Sequence, residues 1–482
     1  MSKNDKSYQA KNAWLEMEDV EKEEVFEFNR EYGEFLKDIP RIHSNFQFLE
    51  ENKTEREFTT STVELLKEEG FKEINEFDNL NEGDKVYAVN RDRQLIAAVI
   101  GKKELRDGLR IVAAHTDSPR IDLKPNPLYE DGGLAYFGTH YYGGIKKFQW
   151  VTIPLALRGV VMKEDGTKIE IRIGDKEDDP VFYISDILPH LGKKQREKKM
   201  SEAINAQHLN LIIGSIPLKD EDEEENGGND KIKSAILEHL SEEYDVTGED
   251  LVSADLQIVP AEGVRDIGFD RALMGGYGHD DRVCSYTGLR ALLDVNVPEY
   301  TAVTLLVDKE EIGSMGATGM QSRFFENFVA EMTSKYYDSY SELDLRKILE
   351  NSSSLSGDVN AAFDSNFPEV FDKRNAAFVN KGIVLTKYTG ARGKAGSSEA
   401  TAEFMAKVRS LLNEAGVIWQ VAELGKVDEG GGGTIAQFLA NYNMDVLDAG
   451  PAVLSMHSPY EVVAKIDVYN TYLAYLTFLE KQ

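Results

Sequence analysis

Two histidines and a scatter of acidic residues stand where apolar runs end, a combination suited to metal-assisted hydrolysis. His115 closes the apolar part of RIVAAHTDSP (110–119) and His457 that of AVLSMHSP (452–459). Imidazole nitrogen and carboxylate oxygen are ligands that Zn²⁺ takes together, with open positions left for water. Asp117 stands two residues after His115. In an extended chain the two side chains point the same way, so Asp117 suits the imidazole N–H turned away from a metal. GHDDRV (278–283) puts Asp280 and Asp281 just before an expected helix. One can cap that helix, and the other is spare to bridge two cations. TLLVDKEEIGS (304–314) ends a buried strand in Asp308, Glu310 and Glu311. Read as extended, adjacent acids face opposite ways, so one can ligate a metal while its neighbour faces a water. Asp358 follows small residues in SSLSGDVN (353–360).

Each residue also has a structural reading when taken singly. Asp117 suits a turn before Ser118-Pro119, and Asp358 suits an Asx-turn. Asp308, Glu310 and Glu311 suit a solvated acidic loop. His43, His208 and His239 sit in ordinary contexts. The four glycines 430–433 let backbone approach something closely, but no Gly-Lys-Ser/Thr follows to make a phosphate loop. Taken together, two histidines and three carboxylates can hold two Zn²⁺ ions. The site then stays cationic, which favours ionising a water near neutral pH.

These residues need an α/β scaffold. Residues 85–90, 94–101, 109–114, 300–307 and 417–424 read as strands. Residues 16–40, 57–70, 283–294, 397–416 and 467–479 read as helices, with Ser397 and Ser398 as caps and Gly416 as a stop. Another helix is expected after the glycines. Strands alternating with helices imply a mainly parallel central sheet flanked by helices, with its active site beyond the strand C-termini. Between 126 and 265 the texture turns β-rich, as in VTIPLALRGVVM (151–162) and KIEIRIG (168–174). The acidic run 219–230 reads as an exposed loop. The expected division is a catalytic domain of 1–125 and 266–482 with an inserted domain at 126–265.

Length and charge narrow the function. The 482 residues exceed what one hydrophobic core organises. Basic residues number 55 against 85 acidic ones, a net charge of −30. That balance argues against nucleic acid and against anionic membrane surfaces as partners. No apolar run approaches the ~20 residues of a membrane span. The polar N-terminus lacks a signal-peptide pattern, and a single cysteine, Cys284, fits a reducing compartment, so the cytoplasm is the expected location.

HTDSPRIDLKPNP (115–127), YYGGI (141–145), HDDR (279–282), DKEEIGS (308–314), SGDVNAA (356–362) and LSMHS (454–458) occur in this order. Their order resembles that of the aspartyl aminopeptidase and vacuolar aminopeptidase I family of dizinc metallopeptidases, over nearly the whole chain. KVDEGGGGTIA (426–436) and GIKKFQW (144–150) look more like the aminopeptidase I branch. The resemblance implies two zinc ions per subunit, while the sequence itself leaves one or both sites open to Mn²⁺ or Co²⁺ because metal availability matters as much as affinity. His115 and Asp358 would hold one, His457 and Glu311 the other, and Asp280 would bridge them. Glu310 would be the general base that takes a proton from water and returns it to the leaving amine. Asp117 would orient His115. His190, in ISDILPHLG (184–192), matches a family histidine that contacts substrate in a neighbouring subunit's site and is sometimes counted as a metal ligand.

The resemblance further implies that the insertion mediates dimerisation and covers the site. Twelve subunits would form a tetrahedral homo-oligomer admitting only short peptides. Where the family often carries histidine-rich residues after the motif aspartate, this chain has Ala361 and Asp364, so no residue is assigned to the oxyanion. Acid-selective members carry a basic residue near the stretch matching TKYTGARGKAG (386–396), which here holds Lys387, Arg392 and Lys394. A neutral or broad substrate preference is expected over an acidic one. Two other readings remain: a dizinc aminoacylase or carboxypeptidase, and an inactive shell or cargo protein. The second would be expected to have lost catalytic residues that this chain keeps.

Overall fold

A computed structural model describes residues 12–16, 19–33, 48–176, 178–218 and 230–481. These fall into two compact units. One is drawn from Met1–Ser118, Val264–Met456 and Glu461–Gln482, the other from Pro119–Gly263 and His457–Tyr460. The chain thus enters the second unit at Pro119, directly after the HTDS turn, because the long strand Arg120–Asp131 begins there. Residues 457–460 join that unit without any change in composition to mark them.

The first unit is an α/β fold built on a nine-stranded sheet. At its centre four strands run parallel in the order Ala302–Val307, Arg110–His115, Ser353–Ser356, Asp445–Gly450. Antiparallel neighbours flank them: Gln94–Val99 on one side and Ile383–Thr386 on the other. The strand sequences show why the sheet is buried on both faces. Along Arg110–His115, Val112 and Ala114 join one core, while Ile111 and Ala113 join the other. Gln94–Val99 divides in the same way, with Leu95, Ala97 and Val99 opposite Ile96 and Ala98. A two-residue side-chain period with apolar residues at both phases leaves no face for water.

Helices cover each face. His279–Asp294, Ala402–Ala415 and Lys465–Lys481 supply Leu289, Phe404, Val408, Tyr475 and Phe478 to one core. Phe324–Tyr336 and Glu342–Asn351 supply Phe328, Met332 and Ile348 to the other. At Gly288 the helix His279–Asp294 lies close against the strand Arg110–His115. A Cβ there would lie 2.8 Å from the Val112 Cγ1. A second, five-stranded sheet in this unit includes Leu273–Gly276 and Glu461–Ala464, paired antiparallel.

In the second unit, six strands pair antiparallel throughout, in the order Lys168–Ile173, Leu155–Met162, Ala254–Pro260, Arg120–Asp131, Leu134–Tyr142, Leu211–Gly214. Arg158 is fully buried on the second of these and pairs with Asp175. A buried guanidinium needs such a carboxylate to offset its desolvation.

Several expected boundaries shift. The helix expected over 397–416 begins at Ala402, where Thr401, extended at φ −63° and ψ 153°, accepts the Phe404 N–H. Ser397 and Ser398 precede it, in a segment that Glu399 ties to Tyr388 by a β-bridge. Tertiary pairing therefore overrides the local capping signal. Gly416 ends this helix in the left-handed conformation, as expected. The helix expected over 16–40 runs Asp19–Gly33, preceded by a short helix Ala13–Glu16, and residues 34–40 of that stretch lie outside the described residues, as do His43 and acidic residues 219–229. No helix among the described residues is long and apolar enough to cross a membrane.

The Gly288 contact yields a test. Gly288→Ala forces its new methyl into Val112 and is expected to cost about 1–3 kcal/mol, the range for overpacking a filled core. Thermal unfolding should show a melting temperature lowered by a few degrees, and an unchanged value would mean that this helix does not set the spacing to the sheet.

Candidate metal centre

The C-terminal ends of the parallel strands bring chemistry-bearing residues of the first unit to one edge. His115 is the last residue of its strand and pairs in register with Val307 of the neighbouring one. Its ring is buried, and Nδ1 lies 2.9 Å from the main-chain carbonyl oxygen of Asp117. A carbonyl only accepts, so Nδ1 carries a proton and Nε2 is the nitrogen left to face a ligand. Nε2 points at the Asp280 carboxylate, 3.4 Å away. Asp117 thus orients His115 mainly through its backbone, with its own Oδ1 at 3.4 Å from Nδ1.

The Asp117 carboxylate has a second task. Oδ1 accepts the N–H of Glu310 at 3.1 Å and Oδ2 that of Glu311 at 3.2 Å. The two glutamates do not lie on extended chain, contrary to the sequence reading. Lys309 turns the backbone at φ 68°, and Glu310–Ile312 form one turn of 3-10 helix. That turn stacks two consecutive amides toward one acceptor, which an extended segment, with alternating N–H directions, cannot do. Both glutamate side chains are half-buried.

Asp280 and Asp281 precede the regular part of the helix that begins formally at His279. Their dihedrals are non-helical, and the peptide between them is cis. Glu461 accepts the Asp280 N–H at 3.0 Å, and the Ser118 hydroxyl donates to the Asp280 carbonyl at 2.7 Å. Asp281 turns inward, where its Oδ2 accepts the His115 N–H at 3.4 Å. The Ser285 hydroxyl donates to the His115 carbonyl at 2.6 Å. Asp358 follows the strand Ser353–Ser356. Its main chain packs so closely on Gly450 that a Cβ there would lie 2.2 Å from the Asp358 carbonyl oxygen.

One carboxylate oxygen each from Asp280 and Glu311 and one imidazole nitrogen of His115 lie within 4.8 Å of one another, a spacing that suits one metal ion. The charge balance also fits a cation. Burial, reinforced by Asp280, pushes the Asp281 carboxyl well above the usual range. Burial, then Asp281 and Asp280, does the same to Asp358. For His115 burial opposes the charge, but the carboxylates of Asp117 and Asp280 prevail and raise its pKa well above 6.5. Crowded carboxylates with one imidazole among them are relieved by a divalent ion.

Of the eight residues expected at the site, Asp117, His115, Asp280, Glu310, Glu311 and Asp358 belong to the first unit. His457 and His190 belong to the second. His457, at φ 65°, hydrogen-bonds through Nδ1 to the Gly144 carbonyl at 2.8 Å, so the YYGGI motif orients this ring as Asp117 orients the other. A Cβ at Gly144 would come within 3.3 Å of that nitrogen. His190 is exposed in a turn after Pro189, beside exposed Leu188 and Leu191, and the next helix starts only at Lys193. Glu461, Ser118 and Ser285 were not legible as site residues. Their partners lie 162 to 181 residues away, so no local spacing reveals them.

The stretch expected to govern acid selectivity lines a cavity of about 200 Å³ with Tyr388, Arg392, Lys394, Glu423 and Val427. Lys394 pairs with Glu399 at 2.8 Å and lies over the Tyr388 ring, while Lys387 lies 3.8 Å from the same Glu399.

A family model described as aminopeptidase I zinc metalloprotease (M18) matches residues 48–479. The chain is 50% identical over 480 residues to a probable M18 family aminopeptidase 1 of Clostridium acetobutylicum, covering 99% of each. It is similar to the crystal structure of an M18 family aminopeptidase from Thermotoga maritima, with a TM-score of 0.91 at 46% identity over 98% of this chain and 100% of that one. The mApe1 dodecamer of S. cerevisiae, at 22% identity, shares the fold with a TM-score of 0.71 over 89% of this chain and 94% of that one. With a family model spanning most of its length and a relative half identical over nearly all of it, this chain belongs to the M18 family of aminopeptidase I zinc metalloproteases.

Proposed function

We propose that this metallopeptidase removes the N-terminal residue from short peptides with two zinc ions, using Glu310 as its general base. The observation that carries the reading is the Asp117 clasp. One carboxylate holds the amides of Glu310 and Glu311 while its residue's carbonyl orients His115. Base and ligands are thereby fixed to a single support. His115, Asp280, Glu311 and Asp358 are the ligands from the first unit, and His457 is the remaining one by the family pattern. Bound zinc supplies a lowered water pKa and polarises the scissile carbonyl.

The chain's own residues do the rest. Glu310 accepts the proton of the attacking water at its carboxylate and gives it to the leaving amine. Asp117 keeps the Nε2 lone pair of His115 turned toward the metal. The acidic residues around the centre favour a substrate carrying a free, protonated α-amine. Glu399 lies against both Lys387 and Lys394 and offsets one of their two positive charges, which supports a neutral or broad preference over an acidic one. The homo-oligomer is supported by the mApe1 relative, whose structure is a dodecamer. The exposed apolar residues flanking His190 are consistent with a contact to substrate in a neighbouring subunit.

Glu310→Gln should retain bound zinc and lower kcat by about 10³-fold, within the range for loss of a general base. Metal analysis with steady-state kinetics reads both quantities, and unchanged turnover would reject Glu310 as the base.

A panel of Leu, Lys, Asp and Glu aminoacyl anilides, assayed after chelation with Zn²⁺, Mn²⁺ or Co²⁺ restored, tests substrate and metal together. Leu or Lys should exceed Asp and Glu in kcat/KM by about tenfold, a difference of roughly 1.4 kcal/mol in transition-state binding. Hydrolysis confined to N-acetylated substrates would instead indicate an aminoacylase-type enzyme.

A further inference from the structure

Behind Glu310 and Glu311 lies a buried carboxylate that the hydrolytic scheme leaves unused. Asp308 follows the strand Ala302–Val307 and is 0% exposed. Its Oδ1 accepts the Lys309 N–H at 2.8 Å. Oδ2 accepts the Thr318 hydroxyl at 2.7 Å, the Lys309 Nζ at 2.9 Å and the Arg93 Nη1 at 3.3 Å. The other Arg93 terminal nitrogen lies 2.7 Å from Glu55, itself buried. Two cations and two neutral donors thus converge on one carboxylate, which burial alone would leave costly to ionise.

What this carboxylate holds is the turn into the catalytic segment. Lys309 is left-handed, at φ 68° and ψ 19°, a conformation that L residues other than Asn and Asp seldom adopt. Asp308 grips both the main-chain N–H and the ammonium of that residue. It also joins the two ends of the loop, since its own N–H donates to the Thr318 carbonyl at 3.2 Å. Only after this left-handed step do the next two amides reach Asp117.

We propose that Asp308, secured by Arg93 and Thr318, is a positioning residue for Glu310 and Glu311. It holds Lys309 left-handed, and so delivers the base and its neighbouring ligand to the Asp117 clasp. The proposal deepens the hydrolytic reading above and rests on it for the roles of Glu310 and Glu311.

The test uses the full-length chain as Asp308→Asn, Thr318→Val, Lys309→Gly and the Asp308→Asn/Lys309→Gly double variant. Asp308→Asn should lower kcat on a Leu anilide by about 10²-fold, the effect of misplacing a catalytic group by about 1 Å, with KM changed by less than about threefold. Lys309→Gly in that background should restore at least about tenfold of the loss, because glycine takes positive φ without help. Hydrogen exchange at the Glu310 and Glu311 amides should quicken by about tenfold or more in Asp308→Asn, while residues 302–307 stay protected. Should Asp308→Asn fail to fold, Thr318→Val must show the same directions at smaller size. A kcat within about twofold of the unaltered enzyme, a loss untouched by Lys309→Gly, or unchanged exchange would overturn the proposal. Exchange judges the positioning role independently, since it needs no turnover. An unaltered, metal-loaded enzyme that cleaves no aminoacyl anilide would defeat the hydrolytic reading, while the exchange result would still decide the role of Asp308.

Discussion

Asp117 accepts the amides of Glu310 and Glu311 with its two carboxylate oxygens and the His115 ring with its main-chain carbonyl. The strand that ends in His115 and the turn that carries both glutamates therefore meet at one buried residue. Loss of this contact would release the imidazole tautomer and the two amides together. A carboxylate suits the position because charge-assisted bonds to two N–H groups are stronger than those of a neutral acceptor. It can stay buried because those donors offset its desolvation.

The same logic recurs around the centre. Glu461 receives the Asp280 N–H, Asp281 that of His115, and Asp308 that of Lys309. Carboxylates thus hold the backbones of residues gathered around this centre. Such an arrangement crowds carboxyl groups into a buried place, where burial first and the neighbouring carboxylates second make Asp281 and Asp358 harder to ionise. A divalent cation is the natural counterweight, and the geometry of His115, Asp280 and Glu311 has room for one. The scaffold can bear this strain because the adjacent parallel strands are buried on both faces and end at the same edge.

The α/β character and the central strands could be read from the sequence because apolar residues fill both phases of the two-residue period. RIVAA and AVTLLV can be little else than doubly covered strands. Boundaries were less legible. Thr401, and not the serines before it, caps its helix because Glu399 is drawn into a β-bridge. The 3-10 turn at Glu310 escaped the strand reading because it depends on a left-handed Lys309, and lysine carries no local signal for that conformation.

The order of motifs, with His115, Glu310, Glu311 and His457 after apolar runs, Asp280 before a helix and Asp358 after small residues, was determined by the sequence alone, and with it the class of chemistry. What each carboxylate does was decided only by the tertiary structure. Asp117 meets Glu310 across 193 positions and Asp280 meets Glu461 across 181. Local spacing constrains which side chains share a face within a few residues. It carries no information on which distant N–H a carboxylate will find, because that pairing exists only once the parallel strands have brought their ends to a common edge.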